Sequence, residues 1–126
     1  MLRFLFAFAA VQAFSQNPQT DCRERYRNDL EAKPASSLAH YQVAECFFDQ
    51  RNFQSAANEF REALSGDLEP AWTIVWSRIK LGHIFDVSGQ RDRALNEYKF
   101  AGETHDNTRD AQDEVAKYKK EPYKKH

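Results

Sequence analysis

The sequence predicts an all-α chain of stacked antiparallel helical hairpins, closed by a C-terminal capping helix. Three observations carry this. Apolar residues recur at steps of three and four, with no strand-like alternation. Four glycines and four prolines punctuate the helical runs. The stretch VAECFFDQRNFQSAANEFREA realigns on LGHIFDVSGQRDRALNEYKFA 38 residues later. In that register Val43 meets Leu81, Ala44 meets Gly82, Phe47 meets Phe85, Ala56 meets Ala94, Phe60 meets Tyr98 and Ala63 meets Ala101. Asn58-Glu59 returns as Asn96-Glu97, and upstream Cys22, Tyr26 and Leu30 lie 34 residues before Ala56, Phe60 and Leu64.

Residues 1–15 read as a signal peptide. Arg3 precedes an unbroken apolar run from Phe4 to Val11, and Ala13 and Ser15 stand at the small-residue spacing that places cleavage before Gln16. A bilayer span needs about 20 residues, so the run is too short to cross one. A buried N-terminal helix is the competing reading. Against it, the segment is apolar all round where later segments are amphipathic, and QNPQTD separates it from them. Thr20 and Asp21 before Cys22 argue against a lipid-anchored cysteine. The expected product is exported, to the periplasm or the medium, with no stable membrane insertion after the leader is removed.

Helices are predicted near residues 20–33, 36–49, 53–65, 70–87, 91–103 and 108–120, so that residues 16–120 form the domain. Pro34 ends the first, because the residue before a proline is pushed out of the α region. Ser36 or Ser37 caps the second by accepting from orphan N–H groups. Pro70 suits the first position of the fourth, where Trp72, Val75, Trp76 and Ile79 follow at helical spacing. Gly89 supplies the left-handed residue that closes it. Asn107 and Asp110 suggest a cap for the last helix, whose Ala111, Val115 and Tyr118 face inward. The lysine-rich residues 121–126 read as a solvated polar tail.

The spacing of small residues sets how the hairpins pack. Paired helices approach closely only where no side chain exceeds a methyl, which places Gly82 against Ala94 and Ala44 against Ala56. Phe60 and Tyr98 fill the space beside these crossings, while Ala63 and Ala101 leave room for the next hairpin.

This order of leucine, glycine or alanine, aromatic, turn glycine, alanine, aromatic and alanine resembles the tetratricopeptide repeat. Residues 75–102 match it well, residues 37–64 nearly as well, and residues 21–34 resemble only the second helix of a unit, ending at Pro34. About two and a half repeats result, a TPR-like α-solenoid. Some positions depart from the pattern. His40 and Arg78 stand where the family often has tryptophan. Arg51 holds the turn site of Gly89, which points to a differently shaped turn with Asn52 left-handed. Cys22 replaces the alanine of the crossing, and Asp29 replaces the alanine seen at positions 63 and 101, marking a degenerate capping unit.

In such repeats the first helix of each unit lines a concave side where partner peptides lie. The resemblance carries that role onto Leu38, Tyr41, Glu45 and Phe48, and onto Trp76, Ile79, His83 and Asp86. The versions that grip a C-terminal carboxylate place lysine and asparagine here, whereas this chain has Tyr41, Ile79, Glu45 and His83. The remaining aromatic and aliphatic groove suits an apolar peptide or helix. The alternative is that Tyr41, Phe48 and Trp76 are covered by the protein itself.

Composition narrows the chemistry further. Lys and Arg number 18 against 19 Asp and Glu, without the basic excess of a nucleic-acid binder. No nucleophile elbow, phosphate-binding glycine loop or zinc spacing occurs, and no catalytic residue, cofactor or metal site is expected. His83 and Asp86 share a helix face, but a metal needs more ligands; a solvated helix surface is the simpler account. Cys22 and Cys46 are candidates for a disulfide in an oxidising compartment, the alternative being two small buried residues that never meet. The expected role is a non-catalytic protein- or peptide-binding module. A self-associating scaffold pairing near Trp72 and Phe100 ranks second, and a small metal-dependent enzyme using His83 and Asp86 a distant third.

Overall fold

The computed structural model describes residues 18–125, so the expected signal peptide lies outside the described residues. Among these residues the chain is helix and turn, with no strand: α1 (Pro18–Arg25), α2 (Arg27–Ala32), α3 (Ser37–Asp49), α4 (Phe53–Leu64), α5 (Trp72–Val87), α6 (Arg91–Glu103) and, after a 3-10 turn (Thr108–Asp110), α7 (Ala111–Lys120). Helices α3 and α4 pair, as do α5 and α6; α4 packs on α5, α1 and α2 on α3, and α7 on α6 and α5. Tyr41, Phe47, Phe60, Ile79 and Tyr98 are the large side chains at the centre.

The two hairpin corners are built alike. The amide of Asn52 donates to the Phe47 carbonyl at 2.9 Å and that of Gln90 to the Phe85 carbonyl at 2.8 Å. Arg51 N–H reaches Phe48 O at 2.9 Å and Gly89 N–H reaches Asp86 O at 3.0 Å. Arg51 (φ 61°) and Gly89 (φ 76°) are both left-handed, which turns the chain while satisfying the last carbonyls of α3 and α5. The expectation of a left-handed Asn52 is therefore corrected. Arg51 takes that conformation, and Asn52 (φ −91°) instead caps α4 by accepting from the Ser55 amide. The hairpins also share a cross-helix pair: His40 Nδ1 lies 2.8 Å from Glu59 Oε1, and Arg78 Nη1 lies 3.1 Å from Glu97 Oε1.

Three predicted helices end differently. The run 20–33 breaks at Tyr26 (φ −114°, ψ 17°), a break that lets Tyr26 and Leu30 both lean on the core. Helix α5 begins at Trp72 rather than at Pro70, because the Pro70 carbonyl is taken by the amide and hydroxyl of Thr73 within a turn. Helix α7 begins at Ala111 because Arg109 and Asp110 are left-handed. Ser36 caps α3, accepting from the Ala39 amide. Ser37 is buried at the base of that helix, where its hydroxyl donates to the Ala63 carbonyl and accepts from the Leu68 amide, tying the 65–71 connection to α3.

The close approach in the second hairpin is between Gly82 and Tyr98. A Cβ on Gly82 would meet Cδ1 and Cζ of that ring at 2.8 Å. Its nearest neighbours thus belong to Tyr98 and not to Ala94, the partner expected from the register. Ala94 is one turn nearer the N-terminus of α6 and is fully buried, as are Ala44, Ala56, Ala63 and Ala101.

Candidate binding face

The face expected to bind is carried by α3 and α5. Three of its predicted residues are inside the protein. Tyr41 is 2 % exposed, its ring set edge-on against Phe60 and Trp72 and its hydroxyl donating to Glu45 Oε2 at 2.9 Å. Burial, reinforced by the Glu45 carboxylate, pushes its phenol well above the ordinary range. Ile79 is fully enclosed and His83 is 2 % exposed. Tyr41 and Ile79 cannot offer surface to a partner, and His83 is covered in part by the chain's own Tyr123. Tyr41 is closed in by Phe60 and Trp72, and Ile79 and His83 by the position of α5, which α3, α4, α6 and α7 all pack against. A helix covered from so many sides keeps only half-buried positions, such as Trp76 and Lys80, at its surface.

Glu45, Phe48 and Trp76 remain half-buried. Phe48 meets the Phe53 ring edge-on at 5.3 Å, and the Lys80 ammonium sits 4.4 Å from its centroid. Trp76 is an anchor: its indole N–H donates to the Thr108 carbonyl at 2.9 Å and holds the connection into α7. Trp72 lies under the Arg109 guanidinium, 4.2 Å from the ring, with Tyr41 on another side. Phe100 is exposed, with Arg78 at 5.0 Å from its ring, and Leu68 is the other exposed large apolar residue among those described.

Asp86 is no surface carboxylate either. Its side chain is fully covered and accepts from Arg91 Nη1 at 3.0 and 3.1 Å, from the Tyr98 hydroxyl at 2.8 Å and from the Tyr123 amide at 3.0 Å. Arg91 also donates to the Tyr118 and Lys119 carbonyls, satisfying the end of α7. The solvated-surface reading of His83 and Asp86 is thus corrected: one guanidinium and one carboxylate clamp α5, α6, α7 and the tail together. His83 Nδ1 lies 3.0 Å from the Tyr98 hydroxyl and Nε2 lies 3.4 Å from Glu114 Oε2. Burial lowers the imidazole below its usual range, against the smaller opposing pull of Glu114 and Asp86. Among the described residues no group of three or more His, Cys, Asp and Glu could hold a metal ion, and no helix is long and apolar enough to cross a membrane.

The polar tail also departs from the expectation of a solvated end. Tyr123 folds back onto this face, its ring stacked on His83 at 3.9 Å with 7° between the planes. Phe48 and Tyr118 flank it. Sequence reasoning missed Tyr123 because it stands among lysines with no apolar partner at helical spacing. A lone aromatic after Pro122 was the only signal available.

At the opposite end Cys22 and Cys46 are joined by a disulfide with the Cα atoms 5.8 Å apart, fastening α1 to α3. Both are buried, and Arg23 beside them pairs with Glu59. The chain matches no protein-family model, no curated protein and no solved structure.

Proposed function

We propose that this chain is an exported, non-catalytic module of tetratricopeptide type, with about two and a half repeats, that binds another protein or peptide through the α3–α5 face. One observation carries the reading: this face already holds a peptide, the chain's own residues 121–125, through Tyr123. The like-built corners at Arg51 and Gly89, and the equivalent pairs His40–Glu59 and Arg78–Glu97, support the repeat register. The Cys22–Cys46 bridge supports an oxidising compartment, and so export.

The test is a photo-cross-linking amino acid at exposed Asp49, beside this face, in the full chain expressed in its source cells. The expected result is a discrete protein adduct that disappears on Phe48→Ala. A chain that yields no adduct at 49 overturns the reading. Exposed Phe100 favours a second one, self-association into a scaffold. Sedimentation across a concentration range decides it: association lost on Phe100→Ser supports the scaffold, and a strict monomer removes it.

A further inference from the structure

The contacts of Tyr123 describe more than a tidy chain end. The ring has His83 on its face at 3.9 Å, the Tyr118 ring edge-on at 5.4 Å and Phe48 at 6.2 Å, and its amide donates to Asp86 Oδ2 at 3.0 Å. The result is an aromatic box with one fixed acceptor for the main chain, a combination that reads both a side chain and the strand that carries it. Beside the ring a cleft of about 180 Å³ stays open, lined by Phe48, Asp49, Arg51, Phe53 and Lys125.

The rest of the tail is loosely held. Helix α7 stops at Lys120, Glu121 is extended, and Glu121, Pro122, Lys124 and Lys125 are exposed. Pro122 has no amide to donate and stiffens the approach to Tyr123. Tyr123 can therefore leave the box by swinging a few extended residues, with α7 still clamped by Arg91. A short tethered segment of this kind competes with any free segment of the same chemistry.

We propose that the box formed by Phe48, His83 and Tyr118 is a tyrosine-recognition site, which the tail keeps closed and which a proline-tyrosine-lysine segment of a partner protein opens by replacing residues 121–125. The tail is the template for that chemistry: a planar phenol for the box, an amide for Asp86, and lysines following it toward the rim at Asp49. The inference rests on the α3–α5 face being the binding face.

A fluorescein-labelled peptide of sequence KKEPYKKH tests it by anisotropy in about 150 mM salt against the full chain. If the tail occupies the box nine-tenths of the time, the Tyr123→Ala chain binds the peptide about ten-fold more tightly than the wild type. The peptide with alanine for tyrosine should bind neither chain. Circular dichroism matching the wild type shows that Tyr123→Ala is folded; should it be unfolded, Pro122→Gly loosens the approach to the box instead and should bind the peptide more tightly than the wild type. Equal affinity for wild type and Tyr123→Ala, or no binding to folded Tyr123→Ala, overturns the inference. An adduct at Asp49 without peptide binding sinks this inference and leaves the binding module standing; peptide binding without an adduct makes the box a site for the chain's own tail alone and overturns both.

Discussion

The ring of Tyr98 fills the space in which a Cβ on Gly82 would sit. The closest approach of α5 and α6 is therefore a backbone-to-ring contact, and the missing side chain at 82 is a packing requirement rather than a turn signal. Tyr98 cannot retreat, because its hydroxyl is fixed by Asp86 at 2.8 Å and the residue is fully buried.

Overpacking at Gly82→Ala should cost about 3 kcal/mol, the upper end for an added methyl in a fixed core, and the helix regains about 1 kcal/mol from exchanging glycine for alanine, so the net loss should be about 2 kcal/mol. Gly102 on α6 is the control. A Cβ there meets nothing nearer than 3.8 Å, so Gly102→Ala should stabilise by about 0.5–1 kcal/mol. Urea midpoints under non-reducing conditions measure both, and the opposite signs are the check.

The Cys22–Cys46 bridge closes a segment of 24 residues. Cross-linking a loop of that size removes roughly 3 kcal/mol worth of freedom from the unfolded chain. Cys22→Ala/Cys46→Ala, or reduction, should therefore lower stability by about that amount. Arg25 and Arg27 flank the break between α1 and α2 and are exposed, so trypsin should cut there first once the bridge is gone. Mass spectrometry of the early fragments tests this, and unchanged cleavage would show that α1 is held by packing alone.

The helix pairs and their corners were legible in the sequence because both are local: spacing of Phe47, Phe60, Phe85 and Tyr98 marks one face, and Gly89 marks a turn. The resemblance to one repeat family went further than that and placed Ile79 and His83 on an open groove. Five consecutive buried positions, Leu81 to Phe85, say otherwise, and the nearly all-apolar LGHIF carried that information, since a helix apolar all round belongs inside. The site at Tyr123 was not legible. It depends on the tail folding back over α3 and α5, and neither periodicity nor spacing records which surface an extended segment will meet. Arg51 was half-legible: its register position marked a corner, but a residue other than glycine there gave no hint that it would be left-handed.

The paired acids Glu59 and Glu97 should differ sharply in worth despite their equivalent places. The Glu59 side chain is 4 % exposed and holds both His40 and Arg23, whereas Glu97 is 15 % exposed and faces Arg78, itself 32 % exposed. Glu59→Ala strands the largely buried His40 ring and should cost about 2–3 kcal/mol. Glu97→Ala leaves an arginine able to turn to water and should cost less than about 1 kcal/mol. Thermal unfolding of the two variants at pH 7 orders them.

Acid should weaken the fold first through His83. Its imidazole is held below the usual range chiefly by burial, with Lys80 adding to the effect and Glu114 and Asp86 opposing it. Tyr98, Tyr118 and Tyr123 cover the ring. Above the unfolded value, near 6.5, neither state is protonated and this group contributes no slope. Below it the unfolded chain takes up a proton that the folded chain refuses, so stability falls as the pH drops, by at most about 1.4 kcal/mol per pH unit. Glu114 is shifted down from its usual value, principally by its hydrogen bond to His83, so the stability it adds is lost only below roughly pH 4.5, outside this window. Urea midpoints between pH 7.5 and 5 should therefore fall in the wild type more steeply than in His83→Gln, which cannot titrate there. Parallel slopes in the two proteins would mean that the ring takes its proton without leaving its place between Tyr98 and Tyr123.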